Sequence, residues 1–277
     1  MPKNRQIRPW QRDIDILTNV SRSPMTTSQI GELLGFPSPK KAAERLTQLF
    51  RSGFLKRVPG YQPSRQGKAA FIYYVGSQPK VLGLPHSLAI VDVRIAVHHW
   101  LARMPGLSGE FFYGHELRMS NPLADAALIL RKNDRSALLF FEVDLGTESI
   151  SSPRGNYSLA GKLAAYSSYF DSGGYHGDFE PDCFRGFRVA LIVPSGRLAR
   201  LQRLAAEEQH DFLFVSTFEL LRTGLHNPIW HTHDGRVVGL VGQSRKEGGD
   251  NPGFGRATYP PTGRLEPQSI QADGPKQ

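Results

Sequence analysis

Two apolar runs in the middle of the chain constrain the fold more than any other feature of the sequence. Residues 126–130 read Ala-Ala-Leu-Ile-Leu, and residues 137–143 read Ala-Leu-Leu-Phe-Phe-Glu-Val. Runs of this length and composition are typical of buried β-strands, and the turn-forming residues Lys132-Asn133-Asp134 lie between them. The sequence therefore predicts a β-hairpin whose turn falls near residues 132–136.

Acidic residues stand at the ends of the two strands that this hairpin brings together. Asp125 precedes the first run, and Glu142 and Asp144 end the second. A spacing of two residues places Glu142 and Asp144 on one face of a strand, and the hairpin places Asp125 beside them. Three converging carboxylates are unfavourable without a cation, and a hard divalent ion such as Mg²⁺ or Mn²⁺ is the natural occupant. We therefore expect a metal site formed by Asp125, Glu142 and Asp144.

The composition of the chain excludes several classes of protein. The 277 residues contain one cysteine, so neither a disulfide framework nor a cysteine-based zinc site is expected. The sequence shows no apolar segment typical of a signal peptide and no apolar run that approaches a membrane span. We expect a soluble, cytoplasmic protein of one or two domains without a membrane partner.

Positive charge is concentrated at the start of the chain. Residues 1–80 contain 14 Lys and Arg against 4 Asp and Glu, a net charge of +10. Residues 81–240 contain 15 against 17, a net charge of −2. A charge excess confined to one segment indicates that this segment binds a polyanion, most simply nucleic acid. The alternative is a basic surface that only serves solubility.

Local patterns predict three short helices in the basic segment. A second helix is expected over residues 28–34, and Ser38 followed by Pro39 suits the N-cap and first position of a third helix that ends near Ser52. The first helix is predicted by apolar residues at helical spacing, which are Trp10, Ile14, Leu17 and Val20.

Three helices followed by a basic hairpin resemble a winged helix-turn-helix, here over about residues 8–76. In that fold the third helix enters the major groove of double-stranded DNA and the hairpin contacts phosphate or minor groove. The alternative is a winged helix that binds protein. The residues expected to face DNA are Lys40, Lys41, Arg45 and Gln48 on the third helix, and Arg57, Arg65 and Lys68 on the hairpin.

The second half of the chain predicts the order helix, three strands, helix, strand. An apolar helix is expected from Leu84 to about Arg103, a strand over residues 110–117, then the hairpin. A helix over residues 157–170 and a strand over residues 187–193 follow. A basic helix, a strand and a last hairpin extend to about residue 240. From residue 243 the chain is rich in Gly, Pro, Ser and charge, which predicts a disordered tail.

This order and the acidic residues resemble the PD-(D/E)XK nuclease fold over about residues 84–240. The resemblance implies an α+β protein in which a mixed central sheet follows the winged helix. The family has an Asp at the start of the second strand and Glu-x-Lys on the third. Asp125 and Glu142 match that motif, but Asp144 stands at the Lys position. Some members carry the Lys on the following helix, where Lys162 stands here.

The resemblance therefore implies a catalytic set of Asp125, Glu142, Asp144 and Lys162. The carboxylates would hold Mg²⁺ or Mn²⁺, and Lys162 would orient water or stabilise charge near the scissile phosphate. His115 and Glu116, at the end of the neighbouring strand, are candidate extra ligands.

A structural interpretation of the same residues stays open. Asp144 would then cap the following loop, and Asp125 would pair with Lys162. Other conspicuous residues are interpreted as structural: His86 as a cap or core-edge residue, Glu148 as a loop residue that pairs with Arg154, and His231 and His233 as strand residues without zinc.

Taken over residues 8–225, the chain resembles the replication-relaxation family of plasmids and other mobile elements. The resemblance is carried by His86–Arg94, by the run Glu142-Val143-Asp144-Leu145-Gly146-Thr147-Glu148, and by Lys162-Leu163-Ala164-Ala165-Tyr166. It implies a DNA-associated role in plasmid replication or maintenance, with replication or mobilisation proteins as candidate partners. Two functions stay open: a metal-dependent DNA nuclease or nickase, and a non-catalytic DNA-binding regulator that retains the nuclease fold.

Overall fold

The computed structural model describes residues 9–60, 70–119, 121–150, 158–179 and 184–240. The predicted disordered tail and two of the predicted DNA contacts, Arg65 and Lys68, lie outside these residues. The described residues up to Leu240 belong to one compact unit. The predicted division into domains at 8–76 and 84–240 stays a prediction.

The first part of the chain consists of three helices and a small antiparallel sheet. The helices are α1 (Gln11–Arg22), α2 (Thr27–Leu33) and α3 (Pro39–Arg51), and the strands are β1 (Met25–Thr26), β2 (Lys56–Pro59) and β3 (Phe71–Tyr74). The strands pair in the order β1-β3-β2. The residues between β2 and β3 include positions 61–69, which are not described.

Helix α3 begins as the sequence predicts. The Ser38 hydroxyl accepts a hydrogen bond from the Lys41 amide at 3.3 Å, and Pro39 occupies the first helical position. Helix α1 differs from the prediction in the face that it buries. Trp10 and Ile14 are 74% and 49% exposed, whereas Val20 of the predicted set is buried together with Asp13 and Ile16.

The second part of the chain is built around a mixed sheet of seven strands. The strands are β4 (Ser108–Tyr113), β5 (Ala126–Lys132), β6 (Arg135–Val143), β7 (Phe187–Val193), β8 (Leu213–Thr217), β9 (Trp230–His231) and β10 (Val237–Val238). They lie in the order β10-β9-β8-β7-β6-β5-β4. The pairs β6–β7 and β7–β8 are parallel and the remaining pairs are antiparallel, so the expected mixed α+β class is confirmed.

The helices of this part are α4 (Leu84–Ala102), α5 (Leu159–Ser172), α6 (Gly174–Asp178), α7 (Ser195–Glu207) and α8 (Phe218–Leu221). Helices α5 and α7 bury Leu163, Tyr166 and Leu201 in one core with Phe140 of the sheet. Helix α4 lies on the opposite face, where its Leu101 approaches Gly109 and Leu128.

The predicted hairpin is confirmed by the pairing of β5 with β6. Ala126 pairs with Phe141 and Lys132 pairs with Arg135, so the turn consists of Asn133 and Asp134. Asn133 has a φ of +52°, a left-handed conformation that Asn tolerates and that two-residue hairpin turns require. Because the register is set in this way, Asp125 at the start of β5 lies opposite Glu142 near the end of β6.

Helix α4 is buried on several sides because a second layer covers it. The side-chain amide of Gln29 on α2 donates to the Leu88 carbonyl at 2.8 Å and to Asp92 at 2.7 Å. Arg22 of α1 donates to both carboxylate oxygens of Glu116 at 2.7 Å. Helix α4 is thus covered by α2 as well as by the sheet, which suits its apolar pattern, since a helix that is apolar on all sides is a buried one. Within the described ranges, no helix is both long and apolar enough to cross a membrane.

Candidate active site

Asp125 and Glu142 lie side by side where β5 begins and β6 ends. Asp125 Oδ2 accepts a hydrogen bond from the Val143 amide at 2.8 Å, which anchors its carboxylate to β6. On its other side the backbone of Asp125 is held by Gly114, whose amide donates to the Asp125 carbonyl at 2.8 Å; a Cβ at Gly114 would lie 2.2 Å from the Ala124 carbonyl oxygen, so a glycine is needed there. Two of the predicted site residues are therefore brought together by the hairpin.

His86 is a member of this site that the sequence interpretation assigned to structure. It lies in the first turn of α4, and its Nε2 is 2.9 Å from Asp125 Oδ1. The hydrogen bond with Asp125 raises the pKa of His86, although burial acts in the opposite direction. The sequence signal was weak, since a histidine at the start of a helix is common and its acidic partner is 39 residues away.

Glu142 is buried and has polar partners on both oxygens. Its side chain is 4% exposed. The Tyr166 hydroxyl donates to Oε1 at 2.7 Å, and the Lys162 ammonium donates to Oε2 at 3.1 Å. Burial, followed by the nearby charge of Asp125, raises the pKa of Glu142 to about 8, although Lys162 and Tyr166 oppose the change. The site therefore holds more negative charge than it readily accommodates.

Lys162 lies between two carboxylates. Helix α5 begins after Ser158, whose hydroxyl accepts from the Gly161 amide at 3.1 Å, and this start places Lys162 and Tyr166 one turn apart on one face. The Lys162 ammonium is 3.1 Å from Glu142 and 2.8 Å from Glu148. Burial acts to lower the pKa of Lys162, but the surrounding carboxylates raise it above its usual value.

Asp144, the third carboxylate of the predicted metal site, contacts helix α7 and the loop that follows β6. The Asp144 amide still donates to the Ile192 carbonyl of β7 at 3.0 Å, but the side chain has partners on α7 and in the following loop, whereas Glu142 has its partners on α5. Asp144 Oδ1 accepts from the Gly146 amide at 2.8 Å, and Oδ2 is 2.6 Å from Arg197 of α7. Gly146 has a φ of +88°, which favours glycine at this turn. The interpretation of Asp144 as a loop cap is therefore the one that the contacts support.

A divalent ion fits the chemistry of the remaining donors. Asp125 and Glu142 supply carboxylate oxygens of the type that Mg²⁺ binds. In the part of the chain that the structure describes, Glu148 Oε2 is buried and accepts no hydrogen bond. Glu148 is therefore a further acidic residue beside Lys162, at 2.8 Å from its ammonium. No three acidic, histidine or cysteine side chains among the described residues are already arranged as metal ligands. Glu116, a candidate extra ligand, is bound by Arg22 instead.

The predicted DNA-facing residues have different environments. Lys40 and Lys41 are exposed at the start of α3, and Lys41 is 3.3 Å from Glu44. Arg45 instead turns inward and binds both carboxylate oxygens of Asp13, one of them at 2.6 Å. Gln48 is exposed and accepts a hydrogen bond from Arg45 at 2.8 Å.

Arg57 lies against two aromatic rings. Its guanidinium carbon is 4.2 Å from the centre of the Phe50 ring and 3.9 Å from that of Phe71. Cation–π contacts of this kind hold the side chain against α3 and β3. Two of the predicted DNA contacts, Arg45 and Arg57, are therefore engaged in contacts within the chain.

Comparison with known proteins leaves the family of this chain open. The sequence matches no model of a known protein family, including the replication-relaxation family, and no curated protein sequence. A search of solved structures finds the restriction endonuclease FokI, with a TM-score of 0.32 and 14% sequence identity over 75% of this chain and 42% of that chain. The chain thus spans less than half the length of that enzyme, and a likeness this low carries no conclusion about activity.

Proposed function

We propose that this chain is a DNA-binding protein whose second part carries a divalent-metal-dependent DNA nuclease or nickase site. The observation that carries the proposal is the position of Lys162. Its ammonium lies 3.1 Å from Glu142 and 2.8 Å from Glu148, and Glu142 adjoins Asp125. Carboxylates around a lysine, at the end of a buried hairpin, are the groups that cleavage of a phosphodiester needs.

The order of elements supports a PD-(D/E)XK-like arrangement. Helix α4 precedes the antiparallel strands β4, β5 and β6, and α5 connects β6 to the parallel strand β7. In this arrangement Asp125 precedes the second strand and Glu142 lies on the third. The first part, with three helices and the sheet β1-β3-β2, likewise supports a winged helix.

Each residue of the proposed site has a definite role. Asp125 and Glu142 would hold Mg²⁺ or Mn²⁺, with Glu148 as the nearest further acid. When bound, the ion would supply Lewis acidity and activate water. Lys162 would place a positively charged amine beside the carboxylates, where it offsets their repulsion of an incoming phosphate. Tyr166 fixes Glu142 through its 2.7 Å hydrogen bond, and His86 fixes Asp125.

A plasmid-nicking assay tests the proposal directly. With Mg²⁺ or Mn²⁺, we expect the wild-type protein to nick supercoiled plasmid. Glu142→Gln should lower the rate at least about a hundredfold, because Glu142 would hold the ion that stabilises charge, and loss of such stabilisation commonly costs that much. Glu207→Gln, at an exposed position near the end of α7, is the matched control and should retain the wild-type rate. Equal rates for the wild type and Glu142→Gln would exclude Glu142 from catalysis.

A second function, that of a non-catalytic DNA-binding regulator, is favoured by the pairing of every site carboxylate with a basic group of the same chain. Asp125 contacts His86, Glu142 and Glu148 contact Lys162, and Asp144 contacts Arg197. DNA binding without cleavage by the wild-type protein would support this function. A role in the replication or maintenance of a plasmid, together with replication or mobilisation proteins, rests on the sequence resemblance alone.

DNA binding is attributed to the first part because of its net charge of +10 in residues 1–80. Replacing both Lys40 and Lys41 with alanine should weaken duplex binding and lower the slope of log affinity against log salt by about 2, since each lost phosphate contact removes nearly one released counterion. Lys132→Ala, at the exposed last residue of β5, is the control and should change neither value. Fluorescence anisotropy from about 50 to 200 mM salt measures both. An unchanged slope in the double variant would exclude this face of α3.

A further inference from the structure

A cavity of about 460 Å³ adjoins the proposed active site. It lies between the turn after α1, the first turns of α4 and the end of β4, and Asp125 and His86 form part of its wall. Its volume falls within the range of about 300–1,000 Å³ that is usual for small-molecule sites. The residues that line it come both from the basic first part of the chain and from the acidic site.

The walls of the cavity suit a planar, polar ligand. Pro24 and Ile90 supply apolar surface, and Ser23 and Ser87 supply hydroxyl groups. On one side the ring of His115 stacks on Tyr113, with centroids 5.8 Å apart and an angle of 18° between the planes. Nucleobases are recognised by this combination of apolar or aromatic surface and hydrogen-bonding groups.

Leu123 stands at the edge of the cavity and is 73% exposed. An exposed leucine next to a nucleic-acid site can act as a wedge, since apolar side chains inserted between base steps unstack them. The base that such a wedge displaces would find the cavity directly beside it.

We propose that the cavity binds one unpaired nucleotide of a DNA strand, with Leu123 as the wedge that separates it from its neighbours. The proposal deepens the function proposed above and rests on it, because the bound nucleotide would lie next to Asp125. Ser87 and Leu123 determine whether a nucleotide enters, and neither belongs to the proposed catalytic set.

Binding of a free nucleotide tests the cavity without relying on cleavage. The probe is 2-aminopurine deoxyriboside 5′-monophosphate, and its fluorescence anisotropy is followed during titration with the full chain. Ser87→Trp, which fills the cavity, should weaken binding roughly tenfold or more, the factor that about 1.4 kcal/mol produces. Ser168→Trp is the matched control, because both serine hydroxyls donate to the carbonyl four residues earlier at 3.1 Å and Ser168 is exposed on α5. Equal affinity in the two variants, or no saturable binding by the wild type, would overturn the proposal.

Binding to duplexes tests the wedge. It also shows whether the ligand of the cavity is a nucleotide within DNA or a free nucleotide. The wild type should prefer a duplex with one mismatch over the matched duplex by several-fold or more, because the cost of unpairing is lower at a mismatch. Leu123→Ser should lose this preference, whereas Val237→Ser, at an exposed valine of β10, should keep it. A preference unchanged by Leu123→Ser would refute the wedge. Nucleotide binding without any duplex binding would retain the cavity as a nucleotide site while the proposed DNA function fails.

Discussion

Arg197→Ala is expected to lower the free energy of unfolding by about 3–5 kcal/mol, the usual cost of removing one partner from a buried ion pair. Arg197 is 2.6 Å from Asp144, and the side chain of Asp144 is only 1% exposed. The arginine also donates to the Glu148 carbonyl, so it holds the loop that follows β6 against α7. Without it, Asp144 would remain as a buried charge held only by backbone amides.

Chemical denaturation of the wild type and three variants measures this effect. Arg200→Ala is the control, since Arg200 is exposed on the same helix and such changes usually stay within about 0.5 kcal/mol. Adding Asp144→Asn to Arg197→Ala should recover part of the loss, because a neutral amide needs no opposite charge. A cost for Arg197→Ala no greater than that for Arg200→Ala would show that the ion pair does not stabilise the loop.

Glu142→Gln is expected to stabilise the folded protein near pH 8, by an amount on the order of a few kcal/mol. Burial and the charge of Asp125 raise the pKa of Glu142 from 4.5 to about 8. Between these pH values the folded protein holds one more proton at this site than the unfolded chain does. Stability therefore falls as the pH rises from about 4.5 to about 8 in the wild type, and a glutamine removes this loss.

Urea denaturation at several pH values checks the sign of this effect. The stability of Glu142→Gln relative to the wild type should be smallest below about pH 4.5, where the carboxyl is largely protonated in both states, and should increase to a plateau above about pH 8. Glu207→Gln should show no such trend, because its side chain is exposed. A stability difference that does not change with pH would contradict a raised pKa. Combined with the nicking assay, a variant that is more stable but inactive would show that the loss of activity is not caused by unfolding.

Local sequence patterns determined the central hairpin and the start of α3. The apolar runs and the turn residues Asn133 and Asp134 specify the register, because a shift by one residue would turn every buried side chain of β5 and β6 outward. The register in turn brings Asp125 beside Glu142. Helical spacing likewise placed Lys162 and Tyr166 on one face of α5, and both contact Glu142.

The partners of the remaining charged residues were decided only by the tertiary structure. Arg45 had the spacing of a DNA contact, but the packing of α1 on α3 brings Asp13 to it. Asp144 had the spacing of a third metal ligand, but α7 brings Arg197 to its carboxylate. Periodicity along a helix or strand predicts which face a side chain occupies. It carries no information about which distant element packs on that face. For a buried charged residue, that element determines whether the residue acts as a ligand, caps a loop or forms an ion pair.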